Sequence, residues 1–180
     1  MKKLLSIAMA MALAILPFTS CQKSETVSEE EKLLQLQAPS GQHIAAAISD
    51  VRAEAAAIIL DKFGTGKAFR LTAIEYLNVT KGYAAIISYR LSDGTTGNYA
   101  TVADAAFTVE AASICTNSVK TKKTSGASAI INDESVSKVT LQCLKTGTCE
   151  CKISATINAE TGTITWKCSC TDCEMQIIIS

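Results

Sequence analysis

Apolar residues recur at steps of three and four along residues 44–59. This spacing lines up apolar side chains on one face of an α-helix, and we therefore predict a helix over residues 44–63. Ser40 is the candidate N-cap, and Gly64 is the candidate residue just past the C-terminus, where a left-handed backbone favours glycine. The apolar stripe consists of Ile44, Ile48, Val51, Ala55, Ile58 and Ile59.

The pattern changes to strand-like alternation after this helix. Residues 69–103 are rich in aromatic and β-branched side chains, and the stretches NVTKG and SDGTTG interrupt them as turns. Three antiparallel strands are therefore predicted. In the middle strand the odd-numbered residues from Tyr83 to Leu91 share one face, which we expect to pack against the helix. The predicted fold class is α+β, with an N-terminal helix packed on an antiparallel meander and followed by a Cys-rich β-hairpin region.

Small and polar residues predominate between the meander and the cysteine-rich end. Residues 103–138 finish in a polar tract of Ser, Thr and Lys, which predicts a short helix or strand followed by a long exposed loop. The predicted segments are a leader at 1–20, a tether at 21–39, an α+β lobe at 40–110, a linker or exposed loop at 111–142, and a Cys-rich hairpin lobe at 143–180. The length suffices for one ordinary core, or for two small lobes that share one.

The segment CECKISATINAETGTITWKCSC, residues 149–170, predicts a β-hairpin. Asn158 and Thr163 close a four-residue loop, and Gly162 occupies the loop position that needs a left-handed backbone. Because the loop fixes the register, opposite residues can be paired along the whole hairpin. The pairs are Ile157 with Ile164, Ala155 with Trp166, Ile153 with Cys168, and Cys151 with Cys170.

This register brings Cys151 opposite Cys170 at a non-hydrogen-bonded site, where facing side chains come closest. Their separation there needs only a small adjustment for a disulfide, so Cys151–Cys170 is the favoured bridge. A register shifted by two residues instead pairs Cys149 with Cys170 and Cys151 with Cys168. The partners of the remaining cysteines stay open.

The chain carries eight cysteines, and six of them lie between residues 143 and 173. In an oxidising compartment such density is typical of structural disulfides, which stabilise a segment that has few large apolar side chains. The candidate disulfide cysteines are Cys143, Cys149, Cys151, Cys168, Cys170 and Cys173. Cys115 lies outside this group and is the expected unpaired thiol.

Metal binding is the alternative role for these cysteines. Thiolate ligands suit zinc or copper, and the candidate ligands are Cys149, Cys151, Cys168, Cys170 and Cys173. A Cys-x-Cys pair on a strand holds its sulfur atoms about 7 Å apart, and only Cys170 and Cys173 have the tighter Cys-x-x-Cys spacing of zinc knuckles. Redox catalysis has less support, because the residues after Cys173 predict a strand and not the helix that stabilises a catalytic thiolate. No cofactor is expected unless zinc or copper binds here.

The N-terminal sequence MKKLLSIAMAMALAILPFTSC has a basic start, an apolar run and small polar residues before Cys21. This is the pattern of an export signal, because the run of about 13 residues is shorter than the roughly 20 that span a bilayer. The tetrad FTSC ending at Cys21 resembles a lipobox, and residues 22–25 resemble a Gln-Lys-acidic surface signal. The chain thus resembles bacterial lipoproteins of the Bacteroidota type. The resemblance implies lipidation of Cys21, removal of residues 1–20 and an outer-membrane location on the periplasmic or surface face.

The polar composition after Cys21 predicts a flexible tether over residues 21–39. The chain holds 17 basic and 17 acidic residues, and loss of the leader with Lys2 and Lys3 gives a mature net charge of about −2. Without a basic patch, this balance gives no support for nucleic-acid binding. His43 is predicted to be a surface residue at the start of the helix, and no catalytic motif stands out.

The expected function is therefore that of a non-enzymatic module in the bacterial cell envelope. It would be held at the membrane by its N-terminal lipid and would bind an unknown protein or small-molecule ligand. A metal-handling lipoprotein is one alternative. A helix across an antiparallel meander is also similar to cystatin-like modules and protease prodomains, so a protease inhibitor or prodomain-like module is another.

Overall fold

The computed structural model describes residues 27–110, 113–116, 128–131, 138–145 and 148–179. The helices in this part of the chain are α1 (Glu29–Lys32) and α2 (Ile48–Phe63). The strands there are β1 (Phe69–Tyr76), β2 (Tyr83–Leu91), β3 (Thr96–Ala103), β4 (Phe107–Glu110), β5 (Ser113–Thr116), β6 (Ser128–Ile131), β7 (Val139–Lys145), β8 (Ile153–Ile157), β9 (Ile164–Cys168) and β10 (Cys173–Ile179). Within those ranges no helix has the length and apolar character needed to cross a membrane.

The strands form two sheets. The main sheet has the order β1-β2-β3-β7-β10-β5 and is antiparallel except where β5 runs parallel to β10. The second sheet has the order β6-β4-β9-β8, with β4 parallel to β9. Helix α2 packs on one face of the main sheet, and the second sheet packs on the other. The predicted α+β class, with its antiparallel meander and Cys-rich C-terminal strands, is confirmed.

Strand β2 contributes to two separate apolar cores. Its odd-numbered residues, from Tyr83 to Leu91, are buried with α2, as the alternation predicts. Ala84 on the opposite face is buried against the second sheet. Trp166 of β9 is fully buried in this second core. The main sheet is thus covered on both faces, which explains why β2 is nearly continuously apolar.

Helix α2 is shorter than predicted at its N-terminus. It begins at Ile48, and the N–H of Ala47 donates to the Asp50 carboxylate at 3.0 Å, so Ser40 is not the N-cap. The preceding residues turn back on the chain instead, where the N–H of Ile44 donates to the carbonyl oxygen of Leu36 at 3.0 Å. At the other end Gly64 has a φ of 69°, which confirms the predicted left-handed position.

The flexible tether predicted for residues 21–39 is wrong from residue 27 onward. Ser28 caps α1 through a reciprocal capping box with Glu31. The segment then lies on the helix side of the main sheet, where Ala38 is buried and Leu36 is partly buried. The tyrosine hydroxyl of Tyr76 donates to the carbonyl oxygen of Gln35 at 2.8 Å. Residues 1–26, with the predicted leader and Cys21, lie outside the described residues.

The predicted lobes share the main sheet. The predicted boundary at residue 143 falls inside β7, which begins at Val139 and pairs antiparallel with β3. Strands β5 and β6 lie within the segment 111–142 that was predicted as a linker or exposed loop. The rest of that segment before residue 138 lies outside the described residues. Polar contacts also join α2 to β7, because the Glu54 carboxylate accepts from Thr140 at 2.7 Å and from Lys138 at 2.8 Å.

Candidate functional site

The β8–β9 hairpin ends at Cys168, lies between Cys151 and Cys170 along the chain, and has the predicted register. Ile153 pairs with Cys168, and the N–H of Asn158 donates to the carbonyl oxygen of Thr163 at 3.0 Å to close the loop. Gly162 has a φ of 68°, as the loop requires. The turn residues therefore fix the register of this hairpin, as the sequence predicts.

The regular ladder ends before it reaches Cys151 and Cys170. Ser169 binds the opposite chain beyond the last pair, because its N–H donates to the carbonyl oxygen of Lys152 at 2.8 Å and its hydroxyl accepts the N–H of Lys152 at 3.0 Å. The same hydroxyl donates to the carbonyl oxygen of Glu150 at 2.8 Å. These contacts of Ser169, two of them made by its hydroxyl group, replace the regular strand pairing on which the prediction for Cys151 and Cys170 depended.

Three disulfides join the six cysteines from Cys143 onward. The bridges are Cys143–Cys168, Cys149–Cys170 and Cys151–Cys173, with Cα separations of 5.8, 6.8 and 5.8 Å. The first connects β7 of the main sheet to β9 of the second sheet. The other two start in the segment before β8, and they end at Cys170 in the turn between β9 and β10 and at Cys173, the first residue of β10. Every candidate disulfide cysteine named from the sequence is therefore in a bridge.

The predicted Cys151–Cys170 bridge is wrong. Cys151 bonds to Cys173, the first residue of β10, and Cys170 bonds to Cys149. The shifted register is also wrong, although one of its two pairings, Cys149 with Cys170, is found. The prediction considered the hairpin alone and left out strand β10. The pairing of β10 with β7 brings Cys173 next to the end of the hairpin. Hairpin geometry alone holds no signal for that neighbour.

The Cys149–Cys170 and Cys151–Cys173 bridges lie against each other. Their four Sγ atoms are all within 4.8 Å of one another. Across the two bridges, the Sγ of Cys173 lies 3.7 Å from that of Cys149 and 3.1 Å from that of Cys170. Cys151 and Cys173 are buried, whereas Cys149 and Cys170 are half-buried. We call these four residues the sulfur cluster.

Two side chains from other parts of the chain, Lys62 of α2 and Asn98 of β3, bind the backbone in and beside the sulfur cluster. The Lys62 ammonium donates to the carbonyl oxygen of Cys151 at 3.0 Å, and burial lowers the pKa of Lys62 although the nearby Glu150 charge acts to raise it. The Asn98 amide makes a pair of bonds with the backbone of Ile153, accepting its N–H at 2.9 Å and donating to its carbonyl oxygen at 3.0 Å. Sequence patterns gave no signal for either residue, because each lies far from the cysteines along the chain.

Four of the five candidate metal ligands are in the sulfur cluster. Cys168 is bonded to Cys143 instead and is not part of it. The wide spacing expected for Cys149 and Cys151 does not arise, because both precede β8 and do not lie on a strand. Cys170 and Cys173 lead into β10, as predicted, and not into the helix that a thioredoxin-like thiolate needs.

The other residues considered from the sequence lie apart from the cluster. His43 is exposed, as predicted, and forms an isolated β-bridge with Gln37. Cys115 is on β5, at a position that pairs in register with Gln176 of β10. The backbone register is all that can be stated of Cys115, so its expected free thiol stays a prediction.

The comparisons with known proteins give no relative: no protein-family model matches the sequence, and neither a curated protein nor a solved structure is significantly similar to it.

Proposed function

We propose that this chain is a lipid-anchored protein of the bacterial cell envelope, at the outer membrane, whose folded domain is a non-enzymatic binding module. Its proposed partner is a protein or a small molecule, and nucleic acid has no part in it. The membrane is contacted through a lipid on Cys21. This proposal combines the lipoprotein-like N-terminal sequence with the chemistry of the C-terminal cysteines.

The three disulfides are the observation that carries the proposal. Disulfides persist in the periplasm and at the cell surface, and thiol reductants remove them in the cytosol. An export signal followed by a lipobox-like tetrad supplies the route to such a compartment and a means of staying there. The bridges also engage the sulfur atoms of the six C-terminal cysteines in structural bonds, which favours a stable binding scaffold over thiol catalysis.

The folded segment also limits how far the domain can stand from the membrane. Ser28 is the first residue with a described contact, and it lies seven residue steps after Cys21, the mature N-terminus of the proposed lipoprotein. Seven residue steps span at most about 25 Å when fully extended. The proposed lipoprotein therefore keeps its domain close to the bilayer surface.

Substitution Cys21→Ala tests the anchor. Lipidation needs the Cys21 thiol, so cells fed an alkyne-tagged fatty acid should label the wild type and not the variant. Cys115→Ala is the matched control and should keep the label, because Cys115 lies outside the lipobox. Equal labelling of wild type and Cys21→Ala would contradict the proposal.

Two measurements separate the binding role from protease inhibition: protease assays with the purified, non-reduced protein, and cross-linking in intact cells. We expect no slowing of envelope or host proteases, and we expect discrete cross-linked adducts when a short amine-reactive linker is added to intact cells. Stoichiometric inhibition of a protease would replace the binding module with the inhibitor alternative. Absence of any adduct across linker lengths would count against a protein partner.

A further inference from the structure

The sulfur cluster has the dimensions of a metal centre as well as those of two disulfides. Zinc binds four thiolates as a tetrahedron with Zn–S distances of about 2.3 Å, which puts the sulfur atoms roughly 3.8 Å apart. In this protein the four Sγ atoms lie within 4.8 Å of one another, with cross-bridge distances of 3.7 and 3.1 Å. Each bridge needs only its own two sulfur atoms to be close, so bridging alone does not explain the approach of all four.

The backbone that presents these sulfur atoms is held by contacts that do not involve sulfur. Ser169 binds Glu150 and Lys152 across the two segments, and Asn98 binds Ile153. Lys62 binds the carbonyl oxygen of Cys151. None of these hydrogen bonds uses a sulfur atom, so we expect them to keep the four thiols facing one another after reduction.

We propose that Cys149, Cys151, Cys170 and Cys173, once their two bridges are reduced, form one tetrathiolate site for a zinc ion. The donor set explains the choice of metal, because four sulfur ligands at tetrahedral distances suit Zn²⁺. The Cys170-x-x-Cys173 turn supplies the knuckle spacing of structural zinc sites, and Cys149 and Cys151 complete the set. The ammonium group of Lys62 lies beside the cluster and offsets part of the net negative charge of zinc held by four thiolates.

The oxidised and zinc-bound forms exclude each other. Reduction of each bridge takes two electrons from a thiol or phosphine reductant and two protons from that thiol or from water, and it gives two thiols, so the cluster takes up four electrons and four protons. Zinc then binds as the four thiols release their protons to solvent, and no further oxidant or reductant is consumed. Zinc binding therefore opposes closure of the two bridges. This inference is independent of the lipid anchor and of the proposed ligand-binding role.

The test measures zinc bound by the full-length protein in detergent after reduction with a water-soluble phosphine. Each phosphine takes an oxygen atom from water as it converts one disulfide into two thiols. The wild type should retain one zinc per chain by elemental analysis after desalting. In the variant Cys149→Ser/Cys170→Ser the zinc affinity should fall by more than roughly 100-fold. Loss of an outer-shell partner costs up to about that factor, and this variant loses two direct ligands.

The matched control is Cys143→Ala/Cys168→Ala, which removes a bridge that is not in the cluster and should keep full zinc binding. After zinc loading, alkylation should spare the four cluster cysteines and modify Cys143 and Cys168 of the reduced wild type. Fluorescence of Trp166, the single tryptophan and fully buried, reports whether each sample is folded.

Equal zinc binding by both variants would overturn the inference, and so would zinc uptake that leaves the cluster cysteines open to alkylation. Failure of the reduced wild type to hold zinc, whether folded or unfolded by the Trp166 signal, would overturn it as well. Retention of copper(I) without zinc would overturn the assignment of the metal.

Discussion

Glu31 is the residue that ties the N-terminal segment to the domain. It is 1% exposed, and its carboxylate accepts the N–H groups of Ser28 and Leu71 at 2.8 Å each and pairs with the Arg52 guanidinium. Burial alone would raise the pKa of Glu31, but the two N–H donors and the Arg52 charge outweigh it and lower the pKa below its ordinary value. The carboxylate is therefore held ionised in a buried site.

Substitution Glu31→Gln should lower the free energy of unfolding at pH 7 by about 2 to 4 kcal/mol, because it breaks a buried charge pair and its charged hydrogen bonds. A carboxylate whose pKa is lowered by folding stabilises the protein above its unfolded pKa, near 4.5, and this stabilisation is lost as the pH falls through the lower folded value. Denaturant titrations at pH 7 and at pH 3 should therefore give a smaller difference in unfolding free energy between variant and wild type at pH 3 than at pH 7.

Glu29→Gln is the control for this prediction. Glu29 lies two residues away, is largely exposed and forms an exposed ion pair with Lys32 at 2.6 Å. Exposed pairs contribute less than about 1 kcal/mol, so this variant should unfold almost like the wild type at both pH values. A loss of equal size in both variants, or one that does not change with pH, would contradict the role given to Glu31.

At the scale of elements, α2 is held to the main sheet by one apolar face. Ile59 is fully buried on that face, whereas the neighbouring Leu60 is 52% exposed. Ile59→Ala should lower the unfolding free energy by about 2 to 5 kcal/mol, through lost apolar contact and the cavity left behind. Leu60→Ala should change it by less than about 0.5 kcal/mol. Thermal or chemical denaturation that ranks the two variants in the reverse order would contradict the packing of α2.

The elements that sequence patterns predict well are those fixed by neighbouring residues. The meander, the C-terminal end of α2 at Gly64 and the register of the β8–β9 hairpin all depend on local periodicity and turn residues. The folding of residues 27–39 was missed because the run of glutamates at 29–31 has the composition of a solvated segment. Only Glu31 of this run is buried, and there it pairs with Arg52 of α2. The start of α2 was missed because residues 36–44 use their backbone groups in a turn.

The candidate site was predictable in its membership and not in its pairing. The six cysteines were identified from their density alone, but their partners depend on which strands become neighbours in the sheets. Strand β10 pairs with β7 and so carries Cys173 to Cys151, and β9 packs across from β7 and so carries Cys168 to Cys143. Contacts of this kind join segments distant in sequence, for which a single hairpin holds no information.

At the scale of the whole molecule, the main sheet joins the two predicted lobes. Strands β1 to β3 come from the N-terminal lobe, and β7 and β10 continue the same sheet. The core between the two sheets also draws on both ends of the chain, because Ala84 and Val102 are buried with Trp166 and Met175. Shared strands and a shared core are expected to unfold together.

The Cys143–Cys168 bridge joins a strand of the main sheet directly to a strand of the second sheet, and its removal tests this cooperativity. The bridge spans 25 residues, and a loop of that size stabilises a fold by about 3 kcal/mol through restriction of the unfolded chain. Cys143→Ala/Cys168→Ala should therefore lower the free energy of unfolding by about 3 kcal/mol, and so move the denaturation midpoint downward, without splitting the transition. The buried apolar contact between the sheets still holds them together. Trp166 fluorescence reports on the second sheet, and far-ultraviolet circular dichroism reports on all strands. We expect the two signals to change at the same denaturant concentration. Non-coincident transitions, with the tryptophan signal lost first, would show that the cysteine-rich end unfolds as a unit of its own.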